Sequence, residues 1–301
     1  MPPRPAPDTA AGAPSTDPDA TASGADRPET PPPPALQPPR EAVAAAQIHA
    51  PTRGNRRLEN LLAAANADDQ LKAWWHVAHV NATRLGMSDH SWVHVQIVVN
   101  IALRLFRILN RRGVEPAVVR DYGMRAHDAE VVIAAGALLH CVGMSIHRDD
   151  HETFSLFLAA RKLDHLLADA YREPERSVVA SEALHAIIGH RRKGNPLTLE
   201  AGILRVADAL DMAKGRSRVP FETGRTNIHS LSAAAIDEVK IDAGEERAVR
   251  IEVAMNNSSG VFQLDELLAT KLRGSGLEDH VEVIARIDAE HEKRLVPVFR
   301  I

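Results

Sequence analysis

The chain has 301 residues, enough for one large domain or two of moderate size. Its 45% hydrophobic content and net charge of -4 are those of an ordinary soluble protein and argue against a general nucleic-acid or membrane surface. The single cysteine cannot form an internal disulfide, which is typical of a reducing compartment. The N-terminus lacks the apolar stretch of a secretory signal, and the longest apolar run, residues 131–139, is too short to span a bilayer. We therefore expect a cytoplasmic protein.

Residues 1–45 are rich in Pro, Ala, Ser, Thr and Asp, and include four consecutive prolines at positions 31–34. A segment of this composition buries too little apolar area to offset the entropy lost on ordering. We predict a disordered tail, and prefer a tail without a partner to a proline-motif ligand.

Helical periodicity covers the chain from residue 56 to residue 212. Amphipathic segments occupy residues 56–67, 68–86 and 89–113, and a strongly apolar helix follows a loop at Pro116. Three more helical segments come after it, and no alternating pattern interrupts the run. The sequence therefore predicts an all-α domain over residues 46–218.

The pattern changes in the last part of the chain. Residues 236–242 and 247–255 alternate with a period of two around a polar turn, which is typical of a hairpin. A helix at 263–275 and a strand at 280–287 follow. The predicted fold is thus mainly α: a helical bundle followed by a small α+β module over residues 219–301.

Histidines collect at the ends of the predicted helices. His90 and His94 lie four residues apart, a spacing that lets two imidazoles on one helical face share a metal ion, although packing histidines show the same spacing. The apolar helix ends in His140 and Cys141. Asp208 lies inside another apolar helix, where an unpaired carboxylate is costly. A buried aspartate of this kind requires a cation, and the histidines offer ligands for one.

These residues, in this order, resemble the HD superfamily of metal-dependent phosphohydrolases, over residues 89–211. The family pattern is a His on one helix, a His-Asp doublet ending an apolar helix, and an Asp on a late helix. It corresponds here to His94 in HVQIVVNIA, the doublet position in GALLHCVGM, and Asp208 in RVADALD. Further histidines that hold a second metal in some members correspond to His151 and His190. The resemblance implies an HD-type bundle and a divalent metal ion (Zn, Fe, Mn or Mg).

This sequence departs from the family at the second position of the doublet, where Cys141 replaces Asp. A thiolate is a soft ligand that favours zinc or iron over magnesium or manganese. The alternative is that Cys141 is only a small buried side chain and the site is damaged. A literal His127-Asp128 pair begins the apolar helix instead of ending it, so we interpret it as a helix start, where an acidic residue is favourable.

The remaining candidates are charged residues near these helix ends. Asp211, three residues after Asp208, is predicted to orient a ligand. Arg148, Arg191, Arg192 and Lys193 are candidates for holding phosphate oxygens, with a solvated basic face as the alternative. The predicted metal ligands are His94, His140, Cys141, His151, His190 and Asp208, and the predicted catalytic residues are His94, His140, Asp208 and Asp211.

The resemblance implies a metal-dependent phosphohydrolase acting on a nucleotide or another small phosphate ester. The alternative is a catalytically degenerate HD-type module that binds a nucleotide or a protein partner in a regulatory role, and Cys141 is the residue that separates the two. No basic recognition helix indicates a nucleic-acid partner, and no membrane partner is expected. A homodimer is left open.

Overall fold

The structure is a computed structural model that describes residues 37–213 and 228–287. The first range is helical and contains α1 (Pro39–Ala45), α2 (Arg56–Ala67), α3 (Asp69–Leu85), α4 (Trp92–Arg111), α5 (Ala117–Tyr122), α6 (Ala126–Leu139), a 3-10 turn (Val142–Ser145), α7 (His151–Leu166), α8 (Glu175–Gly189) and α9 (Leu199–Leu210). The second range contains α10 (Ile228–Ala234), β1 (Ile236–Ala243), β2 (Val249–Met255), a 3-10 turn (Ser258–Gly260), a π-helix (Gln263–Ala269) that continues into α11 (Thr270–Leu272), and β3 (Val281–Ile287). The predicted fold class, a helical bundle followed by a small α+β module, is confirmed.

Two predicted details differ from the structure. Residues 39–45, the end of the predicted tail, form α1, whose Ala42 is buried, while residues 1–36 lie outside the described residues. A helix, α5, stands directly after Pro116, because the buried carboxylate of Glu200 accepts hydrogen bonds from the first main-chain N–H groups of this short helix. The predicted boundary at residue 218 also falls outside the described residues and stays a prediction.

Helix α6 is the centre of the bundle. Every residue from Asp128 to Leu139 is buried, as expected of a helix that is apolar on all sides. It packs against α2, α4, α8 and α9. By length and composition alone, α4 and the stretch Ala126–Ser145 are apolar enough to cross a membrane. However, 56% of the most apolar part of α4 and 94% of that of Ala126–Ser145 are buried inside the protein. This burial is typical of core helices.

The strands form one sheet in the order β1-β2-β3, in which β1 and β2 are antiparallel and β2 and β3 are parallel. The parallel pairing requires a crossover, and the helical segment of residues 263–272 lies within it. This segment, which we call the crossover segment, packs against α9. Strands β1 and β2 pack on α4, where Arg104 Nη2 lies 2.6 Å from Asp242 Oδ1.

Helix α9 and the chain after the crossover segment approach each other closely. A Cβ atom at Gly202 would overlap the main-chain oxygen of Ser275, so this contact requires glycine. The close contact holds the chain after the crossover segment against the first turns of α9.

Candidate metal centre

Three side chains from three helices meet at one buried point. His94 on α4 and His140 after α6 place their Nε2 atoms 3.1 Å apart. Asp208 on α9 has its Oδ1 3.5 Å from Nε2 of His94 and 3.7 Å from Nε2 of His140. Tetrahedral ligands at about 2.0–2.3 Å from a zinc ion are ~3.3–3.8 Å from one another. The two distances to Asp208 lie in this range and the distance between the Nε2 atoms is slightly shorter, so the three atoms are close enough to share one cation.

Hydrogen bonds at the far side of each ring fix the orientation of both histidines. His94 Nδ1 donates to Asp211 Oδ2 at 2.6 Å, and His140 Nδ1 donates to the main-chain oxygen of Ala137 at 2.7 Å. A neutral ring protonated at Nδ1 carries its lone pair on Nε2. Both Nε2 lone pairs thus point at the same place, beside a carboxylate oxygen. Either a proton or a metal ion satisfies this arrangement.

The electrostatics of the centre favour positive charge. Burial on its own lowers the pKa of His140, but the neighbouring Cys141 and Asp208 outweigh it and raise this pKa to about 10. A cation placed between the rings would be stabilised by the same Asp208 carboxylate. Cys141 is buried, and its Sγ lies within 4.8 Å of the ligand atoms of His94 and His140.

A second group of potential ligands lies next to the first. His151 and Glu152 at the start of α7 and His190 after α8 bring their ligand atoms within 4.8 Å of one another. The ring centroids of His140 and His190 are 5.1 Å apart. Burial lowers the pKa of His151 to about 4 and that of His190 well below its usual value, so both rings are neutral, the form in which imidazole binds metals.

Both groups open into a cleft of about 440 Å³. Most of the residues predicted from the sequence line it: His94, His140, Cys141, Arg148, His151, His190, Arg192, Asp208 and Asp211. Arg191 and Lys193 are not among the residues that line this cleft, and their role as phosphate ligands stays a prediction. Arg191 is turned towards α7, where its Nη2 donates to Thr153 Oγ1 at 2.8 Å.

Three residues of the cleft were missed as site residues. His90 is buried, and its ring centroid is 5.4 Å from that of His94; the four-residue spacing was the available signal. Glu152 follows a predicted ligand directly. Lys271 comes from the crossover segment, and its Nζ lies 2.9 Å from Asp208 Oδ2. Nothing in the local sequence links this lysine to the histidines, because the contact depends on how the module folds back.

The literal His127-Asp128 doublet lies at the start of α6, as predicted. Asp128 Oδ2 accepts a hydrogen bond from the main-chain nitrogen of Arg125 at 2.9 Å, and Oδ1 accepts one from the hydroxyl of Tyr171 at 2.7 Å. The interpretation of this pair as a helix start is confirmed.

Comparison with known proteins gives two matches. The family model named HD domain matches residues 89–213, a range that contains His94, His140, Asp208 and Asp211. Over 207 residues, which are 69% of this chain and 80% of the relative, the sequence is 41% identical to a protein of Methanocaldococcus jannaschii described as "Uncharacterized protein MJ1020". No solved structure gives a significant match.

Proposed function

The chain belongs to the HD-domain superfamily of metal-dependent phosphohydrolases, and we propose that it hydrolyses a small phosphate ester, with a nucleotide as the preferred class. The observation that carries this proposal is the meeting of His94, His140 and Asp208, whose ligand atoms are 3.1, 3.5 and 3.7 Å apart. We also propose that the protein works in the cytoplasm, without a nucleic-acid or membrane partner.

The residues present fit a divalent ion. His94, His140 and Asp208 would hold it, with Cys141 as a further soft ligand. Such an ion lowers the pKa of a bound water and polarises a phosphoryl oxygen. The carboxylate of Asp211 would keep Nδ1 of His94 protonated and the ring in place, as carboxylates behind metal-bound histidines do.

Positive side chains at the cleft support a phosphorylated substrate. Arg148 and Arg192 both line the cleft, and guanidinium groups hold phosphate oxygens through two parallel hydrogen bonds. Arg192 is 69% exposed at its side chain and is paired with Glu266, 2.8 Å away, so a substrate would have to exchange with this pair. Arg148 donates from Nη1 towards His151 Nδ1 at 3.0 Å, close to the histidines.

One observation favours a second candidate function. Cys141 stands where the family has a carboxylate ligand, and it is buried among core residues. If the thiol is only a packing group, the cleft binds a nucleotide without turnover, and the protein is a regulatory binding module.

The test combines metal analysis with a substrate screen. The purified protein is assayed for bound metal by mass spectrometry and then for hydrolysis of nucleotides and phosphomonoesters with Mg²⁺, Mn²⁺, Zn²⁺ or Fe²⁺. Asp208→Asn should lose the ion and lower activity by about 100-fold or more. Asp242→Asn, a change at an exposed strand residue, is the matched control.

Two outcomes would contradict the proposal. Nucleotide binding without turnover under every metal condition would favour the binding module. A wild-type protein that binds no divalent ion would exclude the metal centre itself.

A further inference from the structure

The crossover segment places a fixed positive charge against the candidate metal centre. Lys271 Nζ lies 2.9 Å from Asp208 Oδ2 and also donates to the main-chain oxygen of His190. The other carboxylate oxygen of Asp208, Oδ1, faces His94 and His140. One oxygen of Asp208 is therefore directed at the first ligand group, and the other is paired with an ammonium group.

Lys271 also lies next to the second ligand group, which consists of His151, Glu152 and His190. Lys271 is bound to the main chain of His190, which shares that group with His151 and Glu152. Arg148 also contacts this group, with its Nη1 3.0 Å from His151 Nδ1. Two cationic side chains thus lie next to the histidines that would otherwise hold a second ion. Their charge opposes a divalent cation at this position.

Hydrogen bonds from Arg205 to main-chain oxygens fix the position of Lys271. The buried guanidinium of Arg205 donates from Nε to the main-chain oxygen of Lys271 at 2.8 Å, and from Nη2 to those of Thr270 at 3.2 Å and Arg192 at 3.0 Å. Arg205 therefore ties the crossover segment to the turn after His190. With its side chain only 14% exposed, Lys271 is held inside the cleft.

We propose that Lys271 takes the place of a second metal ion, so that the cleft holds one divalent ion and not two. Its ammonium group pairs with Oδ2 of Asp208, the carboxylate oxygen that does not face His94 and His140. Its positive charge keeps the second ligand group free of metal. Lys271 is a positioning residue in this role. The inference rests on the metal centre of the proposed function.

The test is the metal stoichiometry of full-length variants. Each protein is dialysed against Mn²⁺ and, separately, Zn²⁺, and the bound ions per chain are counted by mass spectrometry. Paramagnetic resonance of the Mn²⁺ samples reports whether two ions are coupled. Lys271→Met and Lys271→Gln, two neutral variants, should each bind two ions per chain with a coupled signal.

The wild type and two further variants should bind one ion. Lys271→Arg keeps the charge at the cleft. Lys240→Met removes a lysine charge from an exposed position of β1, where Lys240 pairs with Glu238, and serves as the matched control. A melting curve identifies any variant that fails to fold, and the other neutral variant is then used.

Each remaining outcome overturns the inference. Two ions in the wild type would show that Lys271 does not exclude the second one, while leaving the proposed function intact. One ion in the wild type and in both neutral variants would do the same. No ion in the wild type would overturn the inference and the proposed function together.

Discussion

Three histidines of the candidate centre, His94, His140 and His190, have their Nδ1 proton bound to an oxygen of the protein. For His140 and His190 this oxygen is the carbonyl three residues earlier, at a helix end where carbonyl groups have no partner within the helix. For His94 it is the carboxylate of Asp211. A local main-chain contact survives most substitutions nearby, whereas the Asp211 contact depends on one side chain.

Asp211→Ala should therefore weaken metal binding without removing a ligand. Loss of the carboxylate frees the His94 ring to rotate and to change its tautomer, and changes of this kind cost about 10–100-fold in metal affinity. The measurement is a calorimetric titration with Zn²⁺ or Mn²⁺, with Asp242→Ala as the control. An affinity equal to that of the wild type would mean that Asp211 has no orienting role.

Cys141→Asp tests the residue at which this chain departs from its family. A carboxylate is a hard ligand, so the variant should bind Mn²⁺ and Mg²⁺ more tightly than the wild type and Zn²⁺ less tightly. If the native site is damaged, the same change should raise phosphohydrolase activity. If the thiolate is a working ligand, activity should fall. Unchanged metal content together with unchanged activity would identify Cys141 as a core side chain and favour the binding module.

At the scale of elements, helix ends position the ligands. Helix α4 begins just after Asp89, whose carboxylate accepts hydrogen bonds from the main-chain nitrogen and hydroxyl of Ser91, at 2.9 and 2.8 Å, and from His79 Nδ1 at 3.0 Å. Burial alone raises the pKa of Asp89, but the hydrogen bonds from His79 and Ser91 lower it well below its usual value. The carboxylate is thus stabilised in its charged form at the start of α4, the helix that carries His94.

Asp89→Asn should make stability less dependent on pH. A carboxyl group whose pKa is lowered by folding stabilises the protein above the pKa of its unfolded state, about 3.9, and this contribution is lost as the pH falls towards the folded-state pKa. We expect the variant to lose about 1–3 kcal/mol of unfolding free energy at pH 7. The difference from the wild type should shrink below pH 4. Urea unfolding at pH 7, 5 and 3.5 measures it, and a constant difference would contradict the account.

The sequence predicted elements better than it predicted contacts between them. Residues 56–67 have helical periodicity and form α2 at those bounds, and the alternating residues 236–242 form most of β1. Periodicity reports which face of an element is buried, so His94, His140 and Asp208 could be assigned to helices that face the core. It does not report which strand pairs with which. The parallel pairing of β3 and the contact between Lys271 and Asp208 therefore could not be predicted from the sequence.

At the scale of the whole molecule, the α+β module completes the cleft of the helical bundle. The crossover segment contributes Gln263, Glu266, Leu267, Thr270 and Lys271 to the lining. The packing of this segment against α9 depends on Gly202, because a side chain at this position would overlap the main chain of Ser275. Main-chain atoms cannot move aside as a flexible side chain can.

Gly202→Ala should therefore displace the module from α9. We expect a loss of about 1–3 kcal/mol of unfolding free energy, as for overpacked positions, together with faster proteolysis of the crossover segment. Gly189→Ala is the control, since a Cβ there would meet its nearest atoms at an ordinary 3.6 Å. Thermal unfolding and limited trypsin digestion measure both effects. Equal stability of the two variants would show that the bundle and the module adjust freely to each other.

The hydrogen bonds of Arg205 limit how far the chain can be shortened. The matched family region ends at residue 213, but the buried guanidinium inside it donates to the main-chain oxygens of Thr270 and Lys271. A fragment that ends at residue 213 would keep a cation in the bundle and lose two of the oxygens that solvate it, which is a costly state for a buried charge. The stretch of chain that the family model matches is thus shorter than the stretch that satisfies its own polar groups. We expect a fragment of residues 37–213 to expose apolar surface and to aggregate, whereas one extending through β3 stays monodisperse in size-exclusion chromatography.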